Sequence, residues 1–317
     1  MRSGPDVNPY TSGYHEPVLC KAVVNGLVGK TDGCYVDATL GGGGHTAALL
    51  DALDAGGRVV GIDQDSDAIE AASTRLSDFI QTGHLQVIQG NFANLPVLLG
   101  TLNISAIDGI LLDLGVSSHQ FDAGHRGFSH RLDGPLDMRM DTHVDESARD
   151  LLARLDEREL RLILRKYGEE PRAGSIARKL LAGPVPETTR ELSEIVEGAV
   201  PPPQRSKTLA RVFQALRIAV NNELEVLEQV LRDATDLVRP GGRIAVIAYH
   251  SLEDRRVKRF LRYGNLRGEP ERDLMGNLIA PWRPINRRPL VPDEEEVAGN
   301  PRSRSARLRL AERLPLP

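Results

Sequence analysis

The chain has 317 residues, 40% apolar and 26% charged, which is ordinary globular usage and argues against general disorder. A formal net charge of −4 excludes a strongly basic nucleic-acid binder, so any such contact has to come from local basic patches. Cys20 and Cys34 are the only cysteines, so there is no disulfide framework and no Cys/His zinc array. With no basic-then-apolar leader and no apolar run long enough for a bilayer, the expectation is a cytoplasmic chain without a membrane segment or a metal.

No repeat of fixed period is present. Residues 1–13, rich in Pro, Ser, Gly and Asn, read as a flexible tail. A regular alternation then begins. Cys34–Ala38 predicts a strand, Thr46–Leu53 a helix stopped by Ala55-Gly-Gly57, and Arg58–Asp63 a second strand. Ser66–Leu76 carries Ala68, Ile69, Ala72 and Leu76 at helical spacing, with Ser66 as the expected N-cap. Leu85–Gln89 and Ile107–Asp113 predict the third and fourth strands. Strands separated by helices imply βαβ units, and hence an α/β, Rossmann-like, mostly parallel sheet with helices on both faces.

Gly124–Asp141 breaks the alternation and reads as a long ordered loop. Beyond residue 145 only helical signals follow: Leu160, Ile163, Leu164 and Tyr167 stopped by Gly168, then Ile176, Ala177, Leu180 and Leu181 stopped by Gly183. Thr188 and Glu191 form a capping box before Leu192, and Val200-Pro-Pro-Pro203 punctuates. This stretch predicts a small all-helical domain inserted into the α/β core, with residues 136–216 as the insertion and 14–135 plus 217–317 as the core. The core pattern resumes with a helix over Asn221–Val238, a turn at Arg239-Pro-Gly-Gly242, a fifth strand over Arg243–Tyr249 and a basic helix over Leu252–Arg262. Residues 264–300 read as polar, Pro-rich and mobile, and Ser305–Glu312 as a final half-exposed strand.

The chemistry gathers at strand ends. Asp37-Ala-Thr-Leu-Gly41-Gly-Gly-Gly44-His45 follows the first strand and opens a helix, a pattern that lets backbone approach a ligand and offers it a helix N-terminus. Asp63 ends the second strand, where a carboxylate can accept both ribose hydroxyls. Gly42, Gly44 and Ala47 also fit G-x-G-x-x-A, so a nicotinamide cofactor is a rival to S-adenosylmethionine. Asp37 argues for the latter, because it would repel a pyrophosphate and suit a methionine-type amine. Asp113-Leu-Gly-Val-Ser-Ser118 follows the fourth strand and is a candidate reacting centre, with Asp113, Ser117 and Ser118 as the catalytic candidates. His250 stands at the end of the fifth strand, either facing substrate or satisfied by backbone. Basic residues crowd 255–262 and 302–309 and are candidate phosphate contacts.

Several longer segments carry a resemblance: Tyr14-His-Glu-Pro-Val-Leu19, Asp37–His45, Gly109–Ser118, Gly134-Pro-Leu-Asp-Met-Arg-Met-Asp141, Phe213-Gln-Ala-Leu-Arg217, His250–Phe260 and Asn300–Ser305. In this order they resemble the bacterial 16S rRNA cytosine-N4 methyltransferase family, RsmH or MraW, from about residue 14 to 312. The resemblance implies a class I methyltransferase fold and S-adenosyl-L-methionine as donor. It implies methylation of a decoding-region cytidine N4 within 16S rRNA of the small ribosomal subunit. It also carries cofactor contacts onto Gly43, Gly44, His45, Asp63, Phe92, Asp113 and Gln120. A homodimer is a further expectation. His119 stands where the family often has Pro, and Asp113-Leu-Gly-Val replaces the Asp/Asn-Pro-Pro-aromatic motif of many amino-methylating enzymes. A non-catalytic subunit-assembly factor and an oxidoreductase are the alternatives.

Overall fold

The computed structural model describes residue 10 and residues 17–315; the rest of the expected tail at 1–13 lies outside the described residues. The chain divides into two compact units, Met1–Gly115 with Val226–Pro317, and Val116–Glu225. The boundaries expected at 135/136 and 216/217 both fall within the second of these.

The first unit is built on a seven-stranded sheet of order β3-β2-β1-β4-β5-β7-β6. Its strands are β1 (Cys34–Asp37), β2 (Arg58–Asp63), β3 (Leu85–Gln89), β4 (Ile107–Asp113), β5 (Val238–Ala248), β6 (Trp282–Pro284) and β7 (Arg307–Arg313). The first five are parallel, and β7 runs antiparallel between β5 and β6. This is a doubly wound, Rossmann-like sheet with one antiparallel strand inserted at its β5 edge. The strands read as near-continuous apolar runs because both faces are covered. Val36, Ile62, Ile110, Leu112 and Val246 pack on one face with Trp282 and Phe260. Tyr35, Val59, Leu111, Ala245 and Ile247 pack on the other.

Helix α1 (Cys20–Leu27) precedes β1, and α2 (Gly44–Asp51), α3 (Ser66–Arg75), α4 (Ser77–Gln81) and α5 (Leu95–Thr101) fill the crossovers from β1 to β4. Helix α3 is capped by Asp65 rather than the expected Ser66. Asp65 is extended, and its Oδ1 accepts from Asp67 N–H at 3.1 Å, where a carboxylate also favours the helix dipole.

The second unit contains α6 (Ser118–Asp122), α7 (Ala148–Arg154), α8 (Glu157–Gly168), α9 (Ala173–Leu181), α10 (Thr189–Glu197) and α11 (Arg205–Asn221). Its own core joins Leu160, Leu164, Ile176, Leu180, Leu192 and Phe213. Ser147, Asp156 and Thr188 cap α7, α8 and α10 with side-chain oxygens. The loop before α7 is irregular, as expected. The buried Arg126 donates to the carbonyls of Arg139 and Met140 at 3.2 and 3.0 Å and ties that loop to itself.

Helix α12 (Glu223–Leu237) leads back into β5, followed by α13 (Ser251–Tyr263) and α14 (Glu294–Gly299). Two expectations change here. The turn at residues 239–242 is instead an irregular start to β5, with Gly241 at φ 84° and a register shift against β4. The half-exposed final strand is instead mostly buried, because β6 pairs along its outer edge. No helix among the described residues is long and apolar enough to cross a membrane.

Candidate cofactor and methyl-transfer site

Three neighbouring parallel strands, β2, β1 and β4, each end in an aspartate: Asp63, Asp37 and Asp113. Their register sets different depths. Asp37 lies opposite Gly61 and Leu111, so Asp63 and Asp113 stand two residues further along their strands. At about 3.3 Å per residue, that places them about 7 Å nearer the carboxyl edge of the sheet, where open α/β sheets bind ligands.

Asp37 is wholly buried. Its Oδ2 accepts from Thr46 Oγ1 at 2.7 Å and its Oδ1 from Thr39 N–H at 3.2 Å. Burial pushes its pKa up, against lowering by His45 and these hydrogen bonds. The residue expected to meet a methionine-type amine therefore braces the loop and the start of α2.

The glycine loop turns through left-handed backbone at Gly41 (φ 49°) and Gly43 (φ 74°). A Cβ at Gly43 would meet Leu76 Cδ1 at 2.8 Å, and one at Gly44 would meet Pro17 Cδ at 3.0 Å. Gly43 caps α2 with no side-chain oxygen, so the first N–H groups of that helix lack the usual capping acceptor. The helix starts at Gly44, two residues before the predicted start, because the glycines adopt both the cap and the first turn.

Asp63 Oδ2 accepts from Gly41 N–H at 2.8 Å and Oδ1 from Asp65 N–H at 2.9 Å. Each oxygen keeps a second lone pair. Burial is the main cause that raises its pKa to about 6, partly offset by those two backbone donors.

Asp113 is held from several sides. Its N–H donates to Thr39 Oγ1 at 2.7 Å, and Tyr249 donates its hydroxyl to Oδ1 at 2.9 Å. His45 Nε2 stands 3.5 Å from Oδ2, an ion-pair separation rather than a well-formed hydrogen bond. Burial opposes the charge on His45, but Asp113 and Cys20 outweigh it and raise its pKa to about 10. Burial and the neighbouring Asp113 push the Tyr249 pKa well up, so Tyr249 remains a hydrogen-bond donor.

Phe92 opens a short 3-10 turn after β3 that Asn91 caps by accepting from Ala93 N–H at 2.8 Å. Its half-buried ring packs against the sheet core. In the second unit, Ser117 and Gln120 close a capping box on α6: Ser117 Oγ accepts from Gln120 N–H at 3.1 Å and Gln120 Oε1 from Ser117 N–H at 3.0 Å. Ser118 is the first residue of that helix, and His119 is exposed beside the intact box. His250 is the N-cap of α13: its Nδ1 accepts from Glu253 N–H at 3.4 Å, and Glu253 Oε2 accepts from His250 N–H at 3.2 Å. Its conspicuous strand-end position is used to start a helix.

Sequence reasoning missed Thr39, Thr46 and Tyr249. The first two lie inside the glycine segment without matching a ligand pattern. Tyr249 follows β5 just as Asp113 ends its neighbour β4, and strand order was the signal that would have paired them.

The sequence profile of the MraW methylase family matches residues 12–314. A ribosomal RNA small subunit methyltransferase H of Bacteroides fragilis is 44% identical over 303 residues, covering 95% of this chain and 97% of that one. The protein of that name from Syntrophus aciditrophicus is 46% identical over 311 residues, covering 95% and 98%. An rRNA methylase structure from Streptococcus thermophilus aligns at a TM-score of 0.42 and 14% identity over 93% of this chain and 94% of that one. A family profile spanning nearly the whole sequence, with relatives above two-fifths identity end to end, shows that the chain belongs to the MraW methylase family.

Proposed function

We propose that the chain transfers a methyl group from S-adenosylmethionine to the exocyclic N4 of a cytidine in the decoding region of 16S rRNA, acting on the small ribosomal subunit in the cytoplasm. The carrying observation is the rim of β2, β1 and β4. A side-chain-free glycine cradle at a helix start lies there between Asp63, which has lone pairs to spare, and Asp113, which is oriented by Tyr249. The names of the full-length relatives support the substrate. The buried free thiols Cys20 and Cys34 suit a reducing compartment.

The residues fit the donor. Gly43, Gly44 and His45 would hold its methionine end at the start of α2, where N–H groups favour a carboxylate. Asp63 would accept the ribose hydroxyls and Phe92 would flank the adenine. When bound, the sulfonium supplies an electrophilic methyl group. The cytosine amine is a poor nucleophile because its lone pair is delocalised into the ring. A carboxylate accepting from that N–H stabilises the amine as the lone pair localises and charge develops. Asp113 is that acceptor, fixed by Tyr249 and faced by His45. Ser117 and Ser118, just downstream, are the additional hydrogen-bonding candidates. The base has to be unpaired or flipped to reach such a rim.

The test is transfer of labelled methyl from S-adenosylmethionine to unmethylated small subunits, with the product nucleoside identified. Label in N4-methylcytidine that is lost in Asp63→Ala with cofactor binding, and lost in Asp113→Ala with cofactor binding retained, is the expected result. Cofactor binding without label in subunits or free rRNA would refute the substrate.

A further inference from the structure

Several of the cations crowded into the C-terminal third are bound to carboxylates. Arg256 Nε donates to Glu228 Oε1 at 2.8 Å, and Arg283 Nη2 to Glu312 Oε1 at 2.7 Å. Arg309 clamps Asp254 at 2.6 and 3.1 Å, and Arg307 adds a bond at 3.3 Å. These four are structural. Lys258, Arg262 and Arg287 are exposed and have no carboxylate partner among the described residues; Arg262 lies over the Tyr263 ring at 5.1 Å.

All three of these free cations line one cavity of about 570 Å³, formed by α13 and the β6–β7 edge of the sheet. No carboxylate lines it. Its apolar wall includes Leu261, Leu310 and Trp282, whose Nε1 donates to Thr235 Oγ1 at 2.9 Å and fixes the ring. Three uncompensated positive charges converging on a concave space repel one another unless an anion occupies it. On a chain of net charge −4 this concentration is local. The volume greatly exceeds that of one inorganic phosphate, and the apolar wall suits the sugar and base edge of a polynucleotide.

We propose that this cavity anchors the phosphate backbone of the RNA substrate at a point remote from the methyl acceptor. The reading rests on the proposed function. Four strand spacings separate β1 from β6, so the anchor lies about 19 Å across the sheet from the glycine loop. The bound RNA therefore spans several nucleotides between anchor and reacting base.

The experiment compares wild type with the triple variant Lys258→Gln, Arg262→Gln, Arg287→Gln in the full-length protein. Affinity for a free 16S rRNA fragment is measured as a function of salt. The control triple variant Lys21→Gln, Lys30→Gln, Arg58→Gln makes the same charge change at residues that do not line the cavity. The cavity variant is expected to bind RNA about tenfold more weakly at low salt. Its slope of log affinity against log salt should fall by about 2, from about 0.7 per single-stranded phosphate contact. Its S-adenosylmethionine affinity and melting temperature should match wild type, and the control should bind RNA as wild type does. Equal losses in both variants would overturn the proposal. So would a loss seen only with assembled subunits and not with free RNA, which would assign the cavity to a ribosomal protein. If wild type methylates RNA while the cavity variant binds it with unchanged affinity and slope, the anchor alone is refuted. If wild type binds and methylates neither free RNA nor small subunits, the functional reading falls and the anchor with it.

Discussion

Two carboxylates in the same sheet unit, one buried and one half-buried, are treated in opposite ways. Asp254, on α13, is nearly enclosed and fully answered: Arg309 reaches both of its oxygens and Arg307 adds a third bond, so burial is overcome and its pKa is lowered. Asp63, at the end of β2, receives only two backbone N–H groups, and burial wins, raising its pKa to about 6. The first arrangement resolves its charge within the fold. The second leaves a charge partly unanswered and lone pairs unused, at the edge of the sheet where ligands bind. Incomplete satisfaction of a buried polar group is a mark of function when it coincides with a cradle for a ligand.

The largest effect expected from breaking this contrast is on stability. Asp254→Ala leaves Arg309 buried without its partner and should cost about 3–5 kcal/mol in denaturant unfolding, because the remaining charge is desolvated and unpaired. Cofactor affinity of the surviving folded protein should match wild type. Asp63→Asn should do the reverse. Losing a charged acceptor for two hydroxyls, at about 1.5 kcal/mol or more each, should weaken S-adenosylmethionine at least about a hundredfold by calorimetry. Unfolding free energy should fall by about 1–3 kcal/mol, less than in Asp254→Ala, because the amide nitrogen leaves one of the two backbone N–H donors without its acceptor but no buried charge unpaired. A stability loss in Asp63→Asn as large as that in Asp254→Ala would remove the distinction between the two sites.

The same contrast explains what the sequence made legible. Glycines before a helix and an acid at a strand end are local patterns, and both were readable. The pairing of Tyr249 with Asp113 depends on β5 lying beside β4, a relation that no local window contains. Likewise β6 has three residues including Pro284, too few for an alternating pattern, so the burial of β7 was unreadable without it. Helix α11 was hidden by the prolines before it, although its Leu209, Val212, Phe213 and Leu216 keep helical spacing and are buried. Sequence distance conceals register, and it is the register that sets Asp37 two residues below Asp63 and Asp113 on their strands.

Tyr249→Phe probes the rim at smaller amplitude. It removes one hydrogen bond from the Asp113 carboxylate and leaves the ring that fills the space. If Tyr249 positions Asp113, kcat for methyl transfer should fall about tenfold, corresponding to about 1.4 kcal/mol, while cofactor affinity changes less than about twofold. An equal loss in the thermal stability of the fold, with kcat unchanged, would assign Tyr249 to packing.

The smallest expected effect is on pH dependence, and it carries the comparison into a single titration. Asp254 has a lowered pKa, so its stabilisation is present above the ordinary carboxylate value of 3.8 and is lost as pH falls through its lower folded value. Asp63 has the opposite sign: its contribution to stability is full below 3.8 and is lost as pH rises through about 6. Only the ionised Asp63 can offer both oxygens to ribose hydroxyls. S-adenosylmethionine should therefore bind several-fold more weakly at pH 5 than at pH 7, through the same carboxylate whose ionisation the empty fold resists. The pH dependence should disappear in Asp63→Asn and persist in Tyr249→Phe. If it persists in Asp63→Asn as well, the titrating group is elsewhere on the rim, and the raised pKa of Asp63 has no part in holding the cofactor.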